Sequence, residues 1–250
     1  MSFARLERVT VAYGQKLALQ DCSLEFKERA ITCLIGLSGA GKSTILKLLD
    51  GLRRPTSGHV YVKDVDMCCI PYRELVSMRL RIGYAFQFAA LFDSLSVYEN
   101  LALPLREHTE LTEKEIEQKV NSVLDLVGLA ETHSLMPAEL SGGMVKRVGF
   151  ARAIVTDPEL VLYDEPTTGV DPIINTVLTQ TIKRVQKRLG GTAVVVSHDL
   201  ESIYSMADYI AMLFEGRIVA YGTVEEVRNS SNPAVQQFLH GRETGPIHVR

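Results

Sequence analysis

The chain has 250 residues, of which 46% are hydrophobic and 23% are charged, and its formal net charge at pH 7 is −3. This length allows one large domain or a core with an inserted subdomain, and the composition excludes a disordered or fibrous protein. The slightly acidic balance gives no overall basic surface, so we expect no nucleic-acid partner.

The cysteines and the apolar runs limit where the protein is expected to work. Cys22, Cys33, Cys68 and Cys69 show no CxxC pair and no metal-ligand spacing, and the sequence shows no secretory leader. We therefore expect reduced thiols in a cytosolic protein. The longest apolar runs are far shorter than the roughly 20 residues of a membrane-spanning helix. If the protein serves a membrane process, another chain must supply the membrane segment.

The N-terminal segment, residues 3–26, has the apolar pattern of short strands joined by a turn at Tyr13-Gly14, which predicts antiparallel β structure. From Ile31 the pattern changes to a buried strand, a glycine-rich loop and a helix, and further buried strands follow at LVLYD and AVVVS. Buried strands separated by helical stretches predict an α/β fold with a mainly parallel sheet and helices on both faces.

A mostly helical region interrupts this strand pattern. Thr112 and Glu115 fit a capping box, and apolar residues then recur at helical spacing as far as Val127. Another helix is expected after LSGG. The last ten residues, GRETGPIHVR, are expected to form a loose tail. We therefore predict one domain over 1–250, with a core including the antiparallel β subdomain in 1–90 and 156–225, a helical subdomain in 91–155, and a C-terminal helix and tail in 226–250.

A phosphate-binding loop is predicted at residues 36–44. GLSGAGKST fits GxxxxGK[ST] between an apolar strand and a helix, which is the context that this loop requires. The glycines let backbone N–H groups turn toward phosphate oxygens, and the helix N-terminus adds positive potential. The side chain of Lys42 is expected to reach the β- and γ-phosphates. The predicted phosphate-binding residues are Gly36, Ser38, Gly39, Ala40, Gly41, Lys42, Ser43 and Thr44.

Polar residues also follow three other predicted strands. Asp164 and Glu165 end LVLYDE, where a parallel sheet presents ligands, so Asp164 suits the coordination shell of Mg²⁺ and Glu165 suits polarisation of an attacking water. His198, after AVVVS, either contacts a γ-phosphate or is a packed or helix-capping residue. Gln87, after IGYAF, either reaches Mg²⁺ or the water, or is merely solvated.

A second anion-binding pattern lies at residues 140–144, LSGGM. A serine and two glycines that open a helix present N–H groups and a positive helix end to an anion. The chain thus has two segments suited to binding phosphate.

In chain order, GLSGAGKST, Gln87, LSGGM, LVLYDE, GVDP at 169–172 and His198 resemble the motifs of the ATP-binding cassette ATPases, over nearly the whole chain. The resemblance implies a RecA-like P-loop NTPase core with an N-terminal antiparallel β subdomain and an inserted α-helical subdomain. It also implies that ATP and Mg²⁺ are bound, that Tyr13 stacks on adenine, and that Asp171 lies in the D-loop. The implied catalytic residues are Glu165, His198 and Lys42, and the implied metal ligands are Ser43, Gln87 and Asp164.

Members of this family pair head to tail, and the signature motif of one copy closes over the nucleotide held by the other copy's P-loop. The resemblance therefore implies that Ser141, Gly142 and Gly143 contact the γ-phosphate of an ATP held by a second copy of the chain. Met144 replaces the glutamine that the family most often has. We expect the backbone cradle to be retained, because the three residues before Met144 match the motif.

LSGGM, residues 91–111 and residues 238–246 are similar to the ATPase subunit of Mla-type systems, which move phospholipid between the membranes of diderm bacteria. This similarity implies a permease, lipid-binding and accessory subunits as partners, and a peripheral position on the cytoplasmic side of the inner membrane. Residues 88–92, FAALF, either receive a permease helix or pack in the subdomain's own core.

Three alternatives fit fewer features. A cassette ATPase of DNA repair or of the ribosome would carry coiled-coil insertions, paired cassettes or basic surfaces, and none appears in the sequence. A P-loop kinase would leave LSGGM and GVDP unexplained. A transporter of amino acids, organic solvents or lipoproteins remains an alternative, because the ATPase chain does not touch the cargo.

Overall fold

The computed structural model describes residues 2–247, which form two compact units. The first unit combines the residues up to Val76 with those from Thr192 onward, and the second is Ser77–Gly191. The chain therefore leaves the first unit after the P-loop and returns to it with the strand that precedes His198.

The first unit begins with an antiparallel sheet, which confirms the predicted N-terminal β structure. Its strands are β1 (Ser2–Tyr13), β2 (Lys16–Lys27), β4 (Ser57–Val62) and β5 (Val65–Asp66), in the order β2-β1-β4-β5. Tyr13 pairs with Lys16, so the turn between β1 and β2 falls at Gly14 and Gln15. Apolar side chains alternate inward along both long strands because successive strand residues face opposite sides.

The remaining strands of the first unit are mainly parallel, as predicted. They are β3 (Ile31–Ile35), β8 (Thr192–Val196), β9 (Tyr209–Phe214) and β10 (Arg217–Thr223), in the order β10-β9-β3-β8. Strand β3 runs parallel to both neighbours, and β10 is antiparallel to β9. All residues of β3 and β8 are buried, as expected for continuous apolar strands. The helices are α1 (Lys42–Leu49), α7 (Leu200–Met206), α8 (Val224–Arg228) and α9 (Pro233–His240).

The second unit is mostly helical and contains a parallel strand pair, β6 (Ile82–Ala85) and β7 (Leu160–Asp164). Helix α2 (Tyr72–Arg79) contains the boundary between the units. The other helices are α3 (Val97–His108), α4 (Glu113–Leu126), α5 (Gly142–Ile154) and α6 (Pro172–Leu189), with a 3₁₀ turn at Pro137–Glu139. The capping box predicted at Thr112 and Glu115 begins α4. The predicted helix after LSGG is α5.

The C-terminal segment is anchored to α9 at Arg242 and Ile247, so the expectation of a loose tail is wrong at these two residues, although residues 241–246 are exposed. The side chain of Gln237 on α9 is buried, and its Oε1 accepts a hydrogen bond from the N–H of Ile247 at 2.7 Å. Its Nε2 donates to the carbonyl oxygens of Ile247 at 2.9 Å and Arg242 at 3.2 Å. Ile247 is buried. One internal glutamine thus binds the backbone of a segment whose composition alone suggests disorder. The rest of the predicted tail lies outside the described residues.

Helix lengths and cysteine positions complete the description of the fold. Within residues 2–247, every helix is too short or too polar to cross a bilayer. The four cysteines are free thiols, with Cys22 and Cys33 buried and Cys69 exposed.

Candidate functional site

The predicted phosphate-binding loop joins β3 to α1, and its glycines have a conformational reason to be there. Gly36, Gly39 and Gly41 have φ angles of +136°, +79° and +106°, in the region that favours glycine. A Cβ on Gly36 would lie 2.2 Å from the carbonyl oxygen of Leu213. Helix α1 begins at Lys42 without a side-chain cap. The first N–H groups of α1 thus form the kind of helix end that binds anions.

Lys42 adds a buried positive charge to this loop. Its side chain is only 7% exposed, and its Nζ donates hydrogen bonds to the carbonyl oxygens of Gly36 at 2.8 Å and Leu37 at 3.0 Å. The ammonium group is therefore folded back against the loop that was predicted to bind phosphate. An ammonium held there can bind a phosphate oxygen through a charge-assisted hydrogen bond.

Tyr13, the residue expected to stack on adenine, ends β1 and is 45% exposed. The guanidinium carbon of Arg53 lies 4.6 Å from the centroid of the Tyr13 ring, and Arg53 also donates to the carbonyl oxygen of Ala12 at 2.9 Å. This cation–π contact holds the ring in place from one side. The sequence analysis missed Arg53, because nothing in the local pattern brings it to Tyr13.

His198 lies at the same edge of the parallel strands as the P-loop. Strand β8 pairs in parallel with β3, and the N–H of Ser197 donates to the carbonyl oxygen of Leu34 at 3.3 Å. His198 therefore follows the strand next to the one that leads into the loop, and it is exposed. The side chain of the next residue, Asp199, caps α7 by accepting from the N–H of Ser202.

In the second unit, Gln87 comes soon after β6, Asp164 ends β7 and Glu165 follows it, and β6 pairs in parallel with β7. The hydroxyl of Tyr84 donates to Oδ2 of Asp164 at 3.3 Å. Glu165 has a φ angle of +53°, an uncommon conformation for a non-glycine residue that often marks a functional site.

The carboxylate of Glu165 is held by a nearby threonine. The hydroxyl of Thr168 donates to Oε2 of Glu165 at 2.6 Å, and the N–H of Thr168 donates to its carbonyl oxygen at 3.3 Å. Thr168 therefore fixes the orientation of the carboxylate that the sequence predicted to polarise water. Sequence analysis overlooked Thr168, although its spacing of three residues from Glu165 is that of a local turn.

The second anion-binding pattern forms the start of α5. Ser141 is the N-cap, and its Oγ accepts from the N–H of Met144 at 3.3 Å. Met144 thus takes part in the helix start through its backbone N–H. Ser141 and Gly142 are exposed, and a Cβ on Gly142 would meet open space. Gly143 is buried, and a Cβ there would lie 2.8 Å from Cγ2 of Ile174. This helix start is therefore accessible at the surface of its unit.

Asp171, assigned to the D-loop, has a structural contact of its own. Its Oδ1 accepts from the N–H groups of Ile173 at 2.9 Å and Ile174 at 3.0 Å, so the side chain caps α6. Because Ile174 packs against Gly143, this capped end of α6 also supports the start of α5.

Lys146 links α5 to the segment after β6. Its Nζ donates to the carbonyl oxygen of Gln87 at 3.1 Å. Burial lowers the pKa of Lys146, and the carboxylate of Glu165 opposes that shift. One lysine on α5, the signature helix that begins at the LSGGM motif, therefore interacts with both Gln87 and the predicted catalytic glutamate.

Arg152, further along α5, holds the residues after Gln87. Its guanidinium donates to the carbonyl oxygens of Ala89 at 2.8 Å and Ala90 at 2.7 Å. Both alanines have positive φ angles, 58° and 51°. A Cβ on Gly149 would lie 2.8 Å from Cβ of Ala89, so α5 needs a glycine where this segment crosses it. Lys146 and Arg152 lie six residues apart on α5 and bind the same segment, residues 87–90. The sequence did not indicate this, because the segment is brought to α5 only by the tertiary structure.

We expect Gly36→Ala to destabilise the protein far more than Gly39→Ala. Both positions have positive φ, but a Cβ on Gly36 would also collide with backbone while one on Gly39 meets open space. The expected losses of unfolding free energy are at least about 3 kcal/mol for Gly36→Ala and about 1–2 kcal/mol for Gly39→Ala. Urea denaturation measures both, and equal losses would contradict the described loop geometry.

Arg152→Gln is expected to lower the free energy of unfolding by about 1.5–3 kcal/mol, because two carbonyl groups lose a charged donor. ATP hydrolysis should also fall, since the segment after Gln87 loses its support. Urea denaturation and a steady-state ATPase assay measure the two effects. Arg54→Gln, at an exposed arginine, is the matched control and should change stability by less than about 0.5 kcal/mol. Similar results for both variants would contradict the role given to Arg152.

Comparisons with known proteins agree with this arrangement. Residues 19–168 match the family model of the ABC transporter. The chain is 41% identical, over 98% of its length and 93% of the relative's, to the intermembrane phospholipid transport system ATP-binding protein MlaF of Haemophilus influenzae. It is 39% identical, over 96% of its length and 69% of the relative's, to the probable ribonucleotide transport ATP-binding protein mkl of Mycobacterium leprae.

A solved structure extends the match to the fold. The ATP-binding cassette MJ0796, in a dimeric post-hydrolysis state with ADP and phosphate, superposes with a TM-score of 0.81 at 30% identity, covering 88% of this chain and 98% of that one. The predicted P-loop NTPase fold is confirmed. The chain belongs to the ABC transporter family, as an ATPase subunit homologous to the MlaF phospholipid transport proteins.

Proposed function

We propose that this ATPase works as two identical copies that pair head to tail around two ATP molecules, and that pairing drives a permease that moves phospholipid between bacterial membranes. The observation that carries the proposal is the exposed helix start at Ser141 and Gly142. The chain already has a phosphate-binding loop at α1, so a second exposed helix end of the same kind suits a nucleotide bound by another copy.

In this proposal, each part of the nucleotide and its Mg²⁺ is bound by residues of suitable chemistry. The P-loop backbone from Gly36 to Thr44 and the ammonium of Lys42 bind the phosphates, and Tyr13 stacks on adenine. The hydroxyl of Ser43, the amide oxygen of Gln87 and the carboxylate of Asp164 are ligands that suit Mg²⁺. When bound, Mg²⁺ neutralises phosphate charge and orients the β- and γ-phosphates.

Hydrolysis in this proposal depends on Glu165. Its carboxylate, oriented by Thr168, polarises a water that attacks the γ-phosphorus, and the bond to the β-phosphate oxygen breaks to give ADP and phosphate. His198 contacts the γ-phosphate, and this contact exists only while the γ-phosphate is bound. The positive φ of Glu165 turns the chain after β7.

Pairing and hydrolysis are linked through the γ-phosphate. Ser141 and the N–H groups of Gly142 and Gly143 contact it only in the closed pair, with Asp171 at the same interface. ATP therefore favours closure, because a ligand shifts an equilibrium only through its different affinity for two states. Loss of the γ-phosphate removes this contact and lets the pair open. The similarity to a cassette solved as a dimer with ADP and phosphate supports this cycle.

The apolar residues after Gln87 are proposed to contact the permease. Phe88 is 84% exposed and Phe92 is 51% exposed, while Ala89 is buried. The exposed side chains of Phe88 and Phe92 are available to contact a permease helix. The buried side chain of Ala89 instead packs in the core of its own unit. Lys146 and Arg152 join this segment to the signature helix, so closure at Ser141 can be transmitted to a membrane partner.

The remaining partners follow from the relatives. MlaF is named as part of an intermembrane phospholipid transport system, which supports lipid-binding and accessory subunits beside the permease. A peripheral position on the cytoplasmic side of the inner membrane would let the chain bind both ATP and the permease. Nucleic acid has no place in this proposal.

Glu165→Gln should retain ATP binding and accumulate the ATP-bound dimer, because it removes the polarising carboxylate and leaves both phosphate cradles intact. Size-exclusion chromatography with ATP and a steady-state ATPase assay measure the dimer and the turnover. The matched control is Glu201→Gln, at an exposed glutamate of α7, which should behave like the unchanged chain. Turnover at the unchanged rate in Glu165→Gln would rule out its catalytic role.

Phe88→Asp combined with Phe92→Asp should abolish permease binding while leaving basal ATP hydrolysis intact, since a charged surface no longer fits an apolar helix. Co-purification with the permease and an ATPase assay separate the two effects. Leu111→Asp, at another exposed apolar residue of the same unit, is the control and should bind the permease normally. Normal lipid transport by the double variant would contradict the coupling proposal.

The cargo is tested by co-purification of the complex from native membranes, followed by transport measurements. We expect bound phospholipid, and transfer of labelled phospholipid that requires ATP and fails with Glu165→Gln. The name of the mycobacterial relative gives a second candidate cargo, ribonucleotides. Uptake of labelled ribonucleotide into reconstituted vesicles without lipid transfer would favour that cargo and overturn the phospholipid proposal.

A further inference from the structure

Three side chains with different metal-binding atoms meet at the edge of the antiparallel sheet. They are His59 on β4, Asp66 on β5 and Cys68 just after β5. A ligand atom from each lies within 4.8 Å of the other two, and Nδ1 of His59 is 2.7 Å from Oδ2 of Asp66. The sequence spacing of the cysteines gave no such indication, because strand pairing creates the cluster.

The backbone holds this cluster in register. Asp66 pairs with Tyr61 across β4 and β5, and His59 lies two residues from Tyr61 on the same face of the sheet. The N–H of Cys68 donates to Oδ1 of Asp66 at 2.9 Å, which directs the other carboxylate oxygen toward His59. The N–H of Met67 donates to the carbonyl oxygen of Val60 at 2.8 Å. Hydrogen bonds from the backbone thus position the cluster, while Nδ1 of His59 contacts Oδ2 of Asp66 and Sγ of Cys68 donates weakly to the carbonyl oxygen of Gly58 at 4.0 Å.

The ligand atoms lie close enough together to reach the spacing of a small divalent-cation site through modest side-chain adjustment. Tetrahedral Zn²⁺ sites place imidazole nitrogen and carboxylate oxygen about 2.0–2.2 Å, and thiolate sulfur about 2.3 Å, from the metal, so neighbouring ligand atoms lie about 3.3–3.7 Å apart. The imidazole and the carboxylate therefore need to separate by roughly half an ångström. Since His59 is exposed and the other two are partly exposed, a metal can reach the cluster from solvent.

The chemistry of Cys68 argues against a reactive thiol. Burial raises the pKa of Cys68 to about 11, and the neighbouring Asp66 carboxylate also raises it. Reactive cysteines instead have lowered pKa values in electropositive surroundings. The adjacent Cys69 is exposed and lies outside the cluster.

We propose that His59, Asp66 and Cys68 bind one borderline divalent cation of the Zn²⁺ class, which fastens β5 to β4 at the edge of the sheet. One nitrogen, one oxygen and one sulfur ligand form a set that such cations accept, with one position left for water. Fastening is useful here, because β5 has only two residues and the turn before it places Lys63 and Asp64 at positive φ angles of 48° and 63°. This inference is independent of the proposed transport function.

The test titrates Co²⁺ and then Zn²⁺ into the full-length, nucleotide-free protein under reducing conditions. Excess Mg²⁺ is present to occupy sites made only of oxygen ligands. We expect one equivalent of Co²⁺ to produce thiolate-to-cobalt charge-transfer absorption, and Zn²⁺ to remove it. Cys68→Ser should lose this absorption, and His59→Ala should weaken Zn²⁺ binding by at least about tenfold. Cys69→Ser is the matched control and should behave like the unchanged chain.

Zn²⁺ should also raise the thermal unfolding temperature of the unchanged chain and of Cys69→Ser, but not that of Cys68→Ser. If a variant fails to fold by circular dichroism, Asp66→Asn replaces it and should weaken binding similarly. Absence of the charge-transfer band at stoichiometric Co²⁺ would overturn the proposal. A band that persists in Cys68→Ser and disappears in Cys69→Ser would overturn it as well.

Discussion

The interaction on which the account depends is the binding of phosphate by the backbone N–H groups at the start of a helix. Helix α1 begins with such groups after a glycine loop, and α5 begins with them at Ser141 and Gly142. The glycines at both places are required by conformation or by close packing, as at Gly36 and Gly143. A nucleotide bound at the P-loop uses one helix end of its own chain. The second helix end is then available to the γ-phosphate of a nucleotide held by another copy.

Helix α5 connects the second helix end to the segment that follows Gln87. The same helix that begins at Ser141 carries Lys146 and Arg152, which hold the carbonyl groups of Gln87, Ala89 and Ala90. In the proposed cycle, a change of position at the helix start would act through these hydrogen bonds on the segment that carries the exposed phenylalanines. This linkage offers a physical route from nucleotide state to a membrane partner within one compact unit.

Features encoded within a few consecutive residues could be predicted from the sequence. The P-loop, the hairpin at the N-terminus and the capping box of α4 are of this kind, because glycines, alternation and caps act locally. The contacts of Arg152 and Arg53 could not be predicted, since their partners lie far away in sequence and become neighbours only through folding. The cluster around Cys68 could not be predicted, because the pairing of β4 with β5 creates it. The C-terminal segment was misjudged because its anchoring depends on the buried side chain of Gln237.

A mixing experiment tests the shared nucleotide site most directly. Lys42→Ala disables the P-loop of one chain, and Ser141→Arg blocks the signature helix of another, so each variant alone should be inactive. In a mixed pair, one nucleotide site carries both changes and the other carries neither. The account predicts that ATP hydrolysis appears when the two inactive variants are combined. Continued inactivity of a mixture in which mixed dimers are demonstrably present would contradict it.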